Sequence, residues 1–92
     1  MTARPARAAR AVDALDGRLG GGGHQPERPR WDCLSCRQPW PCPPARVQLG
    51  EAYGPDRIGL AMYLGALLFV AVGEIPAASP GELFERFVAW TR

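Results

Sequence analysis

Apolar residues recur at helical spacing in four stretches of the chain, and one long stretch between them lacks any period. Ala8, Val12, Leu15 and Leu19 share a face, which admits a short helix over 5–19 with Pro5 in its first turn, although Gly17 weakens it. Pro43-Pro44 opens a helix predicted over 43–53. Proline is tolerated there because the first N–H groups have no intrahelical partner. Ala45, Leu49 and Ala52 make its face, with Val47 beside it, and Gly54-Pro55 ends it. A third helix is predicted over 56–73, with Asp56 near the positive end of its dipole. A fourth is predicted over 80–91, where Leu83, Phe87 and Trp90 recur at i, i+4 and i+7, flanked by Phe84 and Val88. Ser79-Pro80-Gly81-Glu82 reads as a capping box with proline at the first helical position.

The segment 58–73 holds sixteen residues without a charge. A membrane span needs ~20 apolar residues, and Arg57 and Glu74 close this one off too early. It reads as the central helix of a small bundle, buried on most sides, and no membrane is expected. Residues 24–44 show no apolar period and are rich in proline. That stretch predicts an irregular loop whose order does not come from a ladder of backbone hydrogen bonds. Gly20 to Gly23 reads as a linker.

The expected fold is mainly α. Two to three helices carry an irregular, metal-bound Cys/His loop, and residues 1–23 form a flexible amino-terminal arm. The domain is 24–92, with the metal loop at 24–42. At 92 residues the chain holds at most one domain, and its core is small enough for a metal or disulfide staple to decide stability. Net charge is +2, too small to select nucleic acid as a partner. All eleven basic residues are arginine. Six of them lie in residues 1–30 against three acids, so the arm carries the positive charge.

The chemistry-bearing residues cluster. His24, Cys33, Cys36 and Cys42 fall within nineteen residues, in the pattern H-x8-C-x2-C-x5-C. Three thiolates and one imidazole are a complete tetrahedral set for zinc, and Cys33-x-x-Cys36 places two sulfurs on one metal through a tight turn. Pro39-Trp40-Pro41 stiffens the approach of Cys42. His24 is the natural fourth ligand. Without it, water or Asp32 would fill the position and leave the site exchangeable. Free buried thiols or a labile disulfide are the other readings of the same cysteines. An odd cysteine count without an export signal points to the reducing cytoplasm.

Trp31 and Trp40 flank the cluster. They either shield it and pack on the helices or meet a protein partner, as the Arg-rich arm also can. A nucleic-acid partner has only the arm's charge to support it. Arg30, Arg37 and Arg46 lie near enough in sequence to balance a site of formal charge −1. No second histidine, nucleophile elbow, P-loop or dinucleotide fingerprint is present, so no catalytic residue is assigned.

The string Trp31-Asp32-Cys33-x-x-Cys36, Pro39-Trp40-Pro41-Cys42-Pro43-x-Ala45-Arg46, and Arg86-Phe87-x-x-Trp90-Thr91-Arg92 resembles a group of short actinobacterial proteins. Some of them carry the label flavin reductase, which implies oxidoreductase activity with a flavin. The cysteine spacing also resembles WhiB-like iron–sulfur regulators. Cys33, Cys36 and Cys42 match their last three ligands, and His24 stands where their first cysteine would be. That resemblance implies an iron–sulfur cluster in place of zinc. The chain lacks the glycine-rich turn and basic tail of those regulators.

Overall fold

A computed structural model describes residues 10–19 and 23–92. In chain order its elements are helix α1 (Leu15–Arg18), strand β1 (Pro26–Glu27), strand β2 (Asp32–Cys33), helix α2 (Pro43–Tyr53), helix α3 (Arg57–Glu74), helix α4 (Pro80–Phe87) and a 3-10 turn (Ala89–Thr91). The fold is mainly α, as the periodicity requires.

Helix α3 is the axis. It buries Leu60, Tyr63, Leu64, Leu67 and Ala71 along one face, at the i, i+3, i+4 spacing that sets residues one above another. Helices α4 and α2 pack on that face. Asp56 starts α3, its carboxylate accepting from the backbone N–H of Gly59 at 2.9 Å. The core formed there is continuous, and it takes in Leu83 and Phe87 of α4, Ala45 and Leu49 of α2, and Trp31 and Trp40 from the loop.

Helix α4 opens with the capping box that the sequence spells. Glu82 N–H donates to Ser79 Oγ at 3.1 Å, and Ser79 N–H donates to Glu82 Oε1 at 2.8 Å. The helix stops at Phe87 rather than running to 91. The Thr91 N–H and hydroxyl both donate to the Val88 carbonyl, at 2.9 and 2.7 Å, which tightens the last residues into a 3-10 turn. That turn sets Trp90 beneath the Arg46 guanidinium, 5.6 Å from its ring centroid.

Of the amino-terminal arm, residues 10–19 lie against the domain. Ala11, Leu15 and Leu19 are buried, and Tyr63 Oη donates to the Ala11 carbonyl at 2.5 Å. Residues 1–9 and the glycines 20–22 fall outside the described residues, so the first third of the helix expected over 5–19 and most of the linker do too.

The loop 24–42 holds more ladder than its sequence suggested. Strands β1 and β2 pair antiparallel, Pro26 opposite Cys33 and Glu27 opposite Asp32, with a further bridge between Asp32 and Pro39. The reversal between the strands is closed by Trp31 N–H donating to the Glu27 carbonyl at 2.7 Å. It requires Trp31 at φ 62°, a left-handed conformation that costs about 1–3 kcal/mol for a bulky residue. Burial of the indole offsets that cost.

Ser79→Ala removes one of the two bonds of the capping box in an otherwise exposed position. Stability should fall by about 1 kcal/mol. Urea unfolding followed by circular dichroism measures it, with a lower midpoint and an unchanged slope as the expected outcome.

Candidate metal centre

The site is assembled from three pieces of chain: the segment before β1, the turn after β2, and the start of α2. In the turn, Arg37 N–H donates to the Cys33 carbonyl at 2.9 Å, closing Cys33-x-x-Cys36 into a knuckle. The chain leaves that knuckle through Arg37 at φ 64°. Within it the backbone N–H groups of Ser35 and Cys36 point at the Cys33 sulfur. Cys42 is the N-cap of α2, where Ala45 N–H faces its sulfur and the helix dipole favours negative charge. His24 is positioned through its main chain. Its carbonyl accepts from Trp40 Nε1 at 3.0 Å, and the neighbouring Gly23 carbonyl accepts from Ser35 Oγ.

These supports bring all four candidate ligands together. The ligand atoms of His24, Cys33, Cys36 and Cys42 lie within 4.8 Å of one another, so the group can hold a metal ion. His24 Nδ1 is 3.4 Å from Cys33 Sγ and 3.5 Å from Cys42 Sγ. Cys33 and Cys42 are buried, while His24 and Cys36 are half-buried. All three cysteines are free thiols, so no disulfide occupies the group.

The electrostatics are unequal across the group. Burial pushes the Cys33 thiol up, but the N–H groups of Cys36 and Ser35, helped by the side chains of His24 and Cys36, outweigh it and bring it down to about 6. Burial also pushes Cys42 up, Ala45 N–H opposes the rise, and the Cys33 and Cys36 thiols add to it, so Cys42 stands at about 11. The pocket therefore favours a thiolate at Cys33 and resists one at Cys42. A cation at the centre reverses that resistance.

A platform of aromatic rings lies beside the sulfurs. Trp31, Trp40 and Phe87 form a triangle with centroid separations of 5.8, 5.4 and 5.9 Å. Both tryptophans are 0 % exposed. Their rings are therefore packed inside the structure and offer no outward surface.

Two charged residues that the sequence left unassigned hold this platform. Arg86 donates from Nε to the Trp40 carbonyl at 2.7 Å and from its other arm to the Trp31 carbonyl. Burial pulls the Arg86 guanidinium below its ordinary value, and Asp32 opposes the shift. Glu74, at the end of α3, accepts from Trp31 Nε1 at 2.8 Å and forms a two-armed ion pair with Arg28. Arg86 and Glu74 lie more than forty residues from the tryptophans they hold. The only sequence signal was a charged residue beside an apolar stripe, which surface residues share.

Of the arginines expected near the thiolates, Arg46 serves the loop backbone, donating to the Pro41 carbonyl at 3.0 Å. Arg30 and Arg37 are exposed. Compared with known proteins, the chain matches no family model, no curated protein and no solved structure.

Two outcomes follow from these charges. The Arg28 ion pair, more than burial opposes, holds the Glu74 carboxyl below the ordinary glutamate range. Its stabilisation is therefore present above the ordinary pKa of about 4.3 and lost as pH falls through the lower folded value. Glu74→Gln should cost about 1 kcal/mol at neutral pH and flatten the acid limb of stability against pH, read by urea midpoints. For metal binding, a divalent ion at neutral pH displaces the Cys42 proton, whereas Cys33, at about 6, has already lost its own. Apparent affinity should fall as pH falls, and more steeply below about 6, measured by competition with a chromophoric chelator.

Proposed function

We propose that the chain is a small zinc-binding interaction or regulatory module. His24, Cys33, Cys36 and Cys42 hold one ion in a closed Cys3His structural site, and the protein has no catalytic step of its own. The convergence of the four ligand atoms within 4.8 Å carries this reading.

The spacing supports a single ion. Tetrahedral zinc, with bonds of about 2.3 Å to sulfur and 2.0–2.1 Å to nitrogen, separates an imidazole nitrogen from a thiolate by roughly 3.5 Å. The two His24–cysteine separations are 3.4 and 3.5 Å. The N–H groups aimed at Cys33 and Cys42 suit thiolates held by a metal.

Bound there, zinc supplies a crosslink among three pieces of chain and no reactive position. The protein's own residues do the rest. Trp31 and Trp40 exclude water from the buried side, and Arg86 and Arg46 fix the loop backbone. The reduced thiols such a site needs suit the cytoplasm. A protein partner would meet the outward side of the knuckle, where Leu34 is 51 % exposed beside the exposed Ser35 and Arg37.

The test is anaerobic purification without added metal, followed by metal and sulfide analysis. About one zinc per chain without sulfide is expected. Chelation should then shift tryptophan emission to the red, as the loop releases Trp31 and Trp40, and His24→Ala should weaken zinc retention. Iron with sulfide, a bound flavin, or a fold and emission indifferent to chelator would each overturn the reading.

A further inference from the structure

The outer face of α3 is as apolar as its inner one. Ile58, Met62, Phe69 and Val72 are 76, 70, 52 and 41 % exposed. At 3.6 residues per turn they share with Gly65 a stripe within roughly 80° of arc, opposite Leu60, Leu64, Leu67 and Ala71. The spacing 58, 62, 65, 69, 72 alternates four and three, the seam of one helix laid along another. No polar side chain interrupts it. An ordinary surface helix of a soluble domain carries charges on this face.

Gly65 stands at the centre of the stripe. Glycine is the poorest helix former after proline, and a Cβ built at this position meets nothing within 4 Å among the described residues. Nothing in the fold described here uses its small size, whereas close approach of a second backbone would.

We propose that a second copy of this chain covers the stripe, antiparallel, about a two-fold axis through Gly65. In that arrangement Gly65 meets Gly65, Met62 lies over Phe69 of the partner subunit, and Ile58 over Val72 of the partner subunit. The pattern is self-complementary, as a two-fold interface requires. The charged ends agree with the direction. Parallel pairing would set the exposed Arg57 of one copy beside Arg57 of the other, whereas antiparallel pairing keeps the two at opposite ends. The four large side chains offer on the order of 500 Å² per copy, so the pair buries about 1,000 Å², the lower edge of specific interfaces. The dimer is therefore weak and concentration-dependent. A bilayer fits the face less well. The helix is long and apolar enough to cross a membrane, but its inner side is committed to the protein core.

Sedimentation equilibrium of the full chain across the micromolar range tests this, with metal content and helix signal read on the same samples. The wild type should show a monomer–dimer equilibrium. Met62→Lys and Phe69→Glu, both at exposed positions, should each weaken it by about tenfold or more without loss of helix. Mixing the two variants should restore dimer, because only antiparallel packing sets the new lysine over the new glutamate. Gly65→Leu should weaken association to a similar degree, although its side chain has room in the monomer. A wild type monomeric throughout, a dimer indifferent to these variants, or a mixture that fails to recover would overturn the proposal. Binding to phosphatidylcholine vesicles without a dimer in buffer would assign the face to lipid and overturn it too. Loss of zinc with the dimer intact would count against the metal reading alone.

Discussion

Two indole rings on an irregular loop have to be buried by a very small helical platform. Trp31 and Trp40 carry more apolar surface than any other side chains in the loop, and both are fully enclosed. Enclosure is tolerable only because each indole N–H finds an acceptor, Glu74 for Trp31 and the His24 carbonyl for Trp40. Phe87 of α4 gives both rings a third face. Once the rings are fixed, the chain between and around them has little freedom left. Cys33 and Cys36 follow Trp31 through one tight turn, Cys42 follows Trp40 across a single proline, and His24 is tied by its carbonyl to the Trp40 ring. The convergence of the ligands is a consequence of where the indoles go.

The same geometry sets the local charge. Cys42 serves at once as helix cap and as sulfur donor, so the start of α2 and the cluster are one structural decision. The knuckle N–H groups stabilise charge on Cys33, and burial together with the neighbouring thiols penalises charge on Cys42. Three thiols packed this closely repel as anions. A cation at the centre would relieve that repulsion, and the four ligand atoms lie close enough to hold one.

The helical character of the chain was legible because its signals are local. Proline at 43–44, the Ser79–Glu82 box and the uncharged run 58–73 each act within a turn or two of helix. The Cys33-x-x-Cys36 pair was legible for the same reason, since a knuckle is a four-residue object. What was not legible depends on distant partners. Arg86 and Glu74 reach the loop across more than forty residues, and neither spacing nor composition reports such a contact. The short β1–β2 pair depends on Trp31 in a left-handed conformation, which local preference disfavours and only the burial of its ring sustains. The outer stripe of α3 was hidden by its own composition. An uncharged run reads as buried on most sides, and only coordinates separate the five residues that are buried from those that face outward.

The guanidinium groups of Arg46, Arg57 and Arg86 all close on main-chain carbonyls: Pro41, Thr91, and Trp31 with Trp40. A lock that grips the backbone does not read the side chain of the residue it holds. Neutral drift at exposed positions of the loop, such as Arg30, Leu34 or Gln38, therefore leaves the lock untouched, and the outward surface can change its chemistry while the buried frame stays the same. The guanidinium positions themselves have no such latitude. A lysine in place of Arg86 is a single point donor and cannot span two carbonyls with a fixed fork. Variation in relatives of this fold should concentrate on the tip of the loop and spare the arginines behind it.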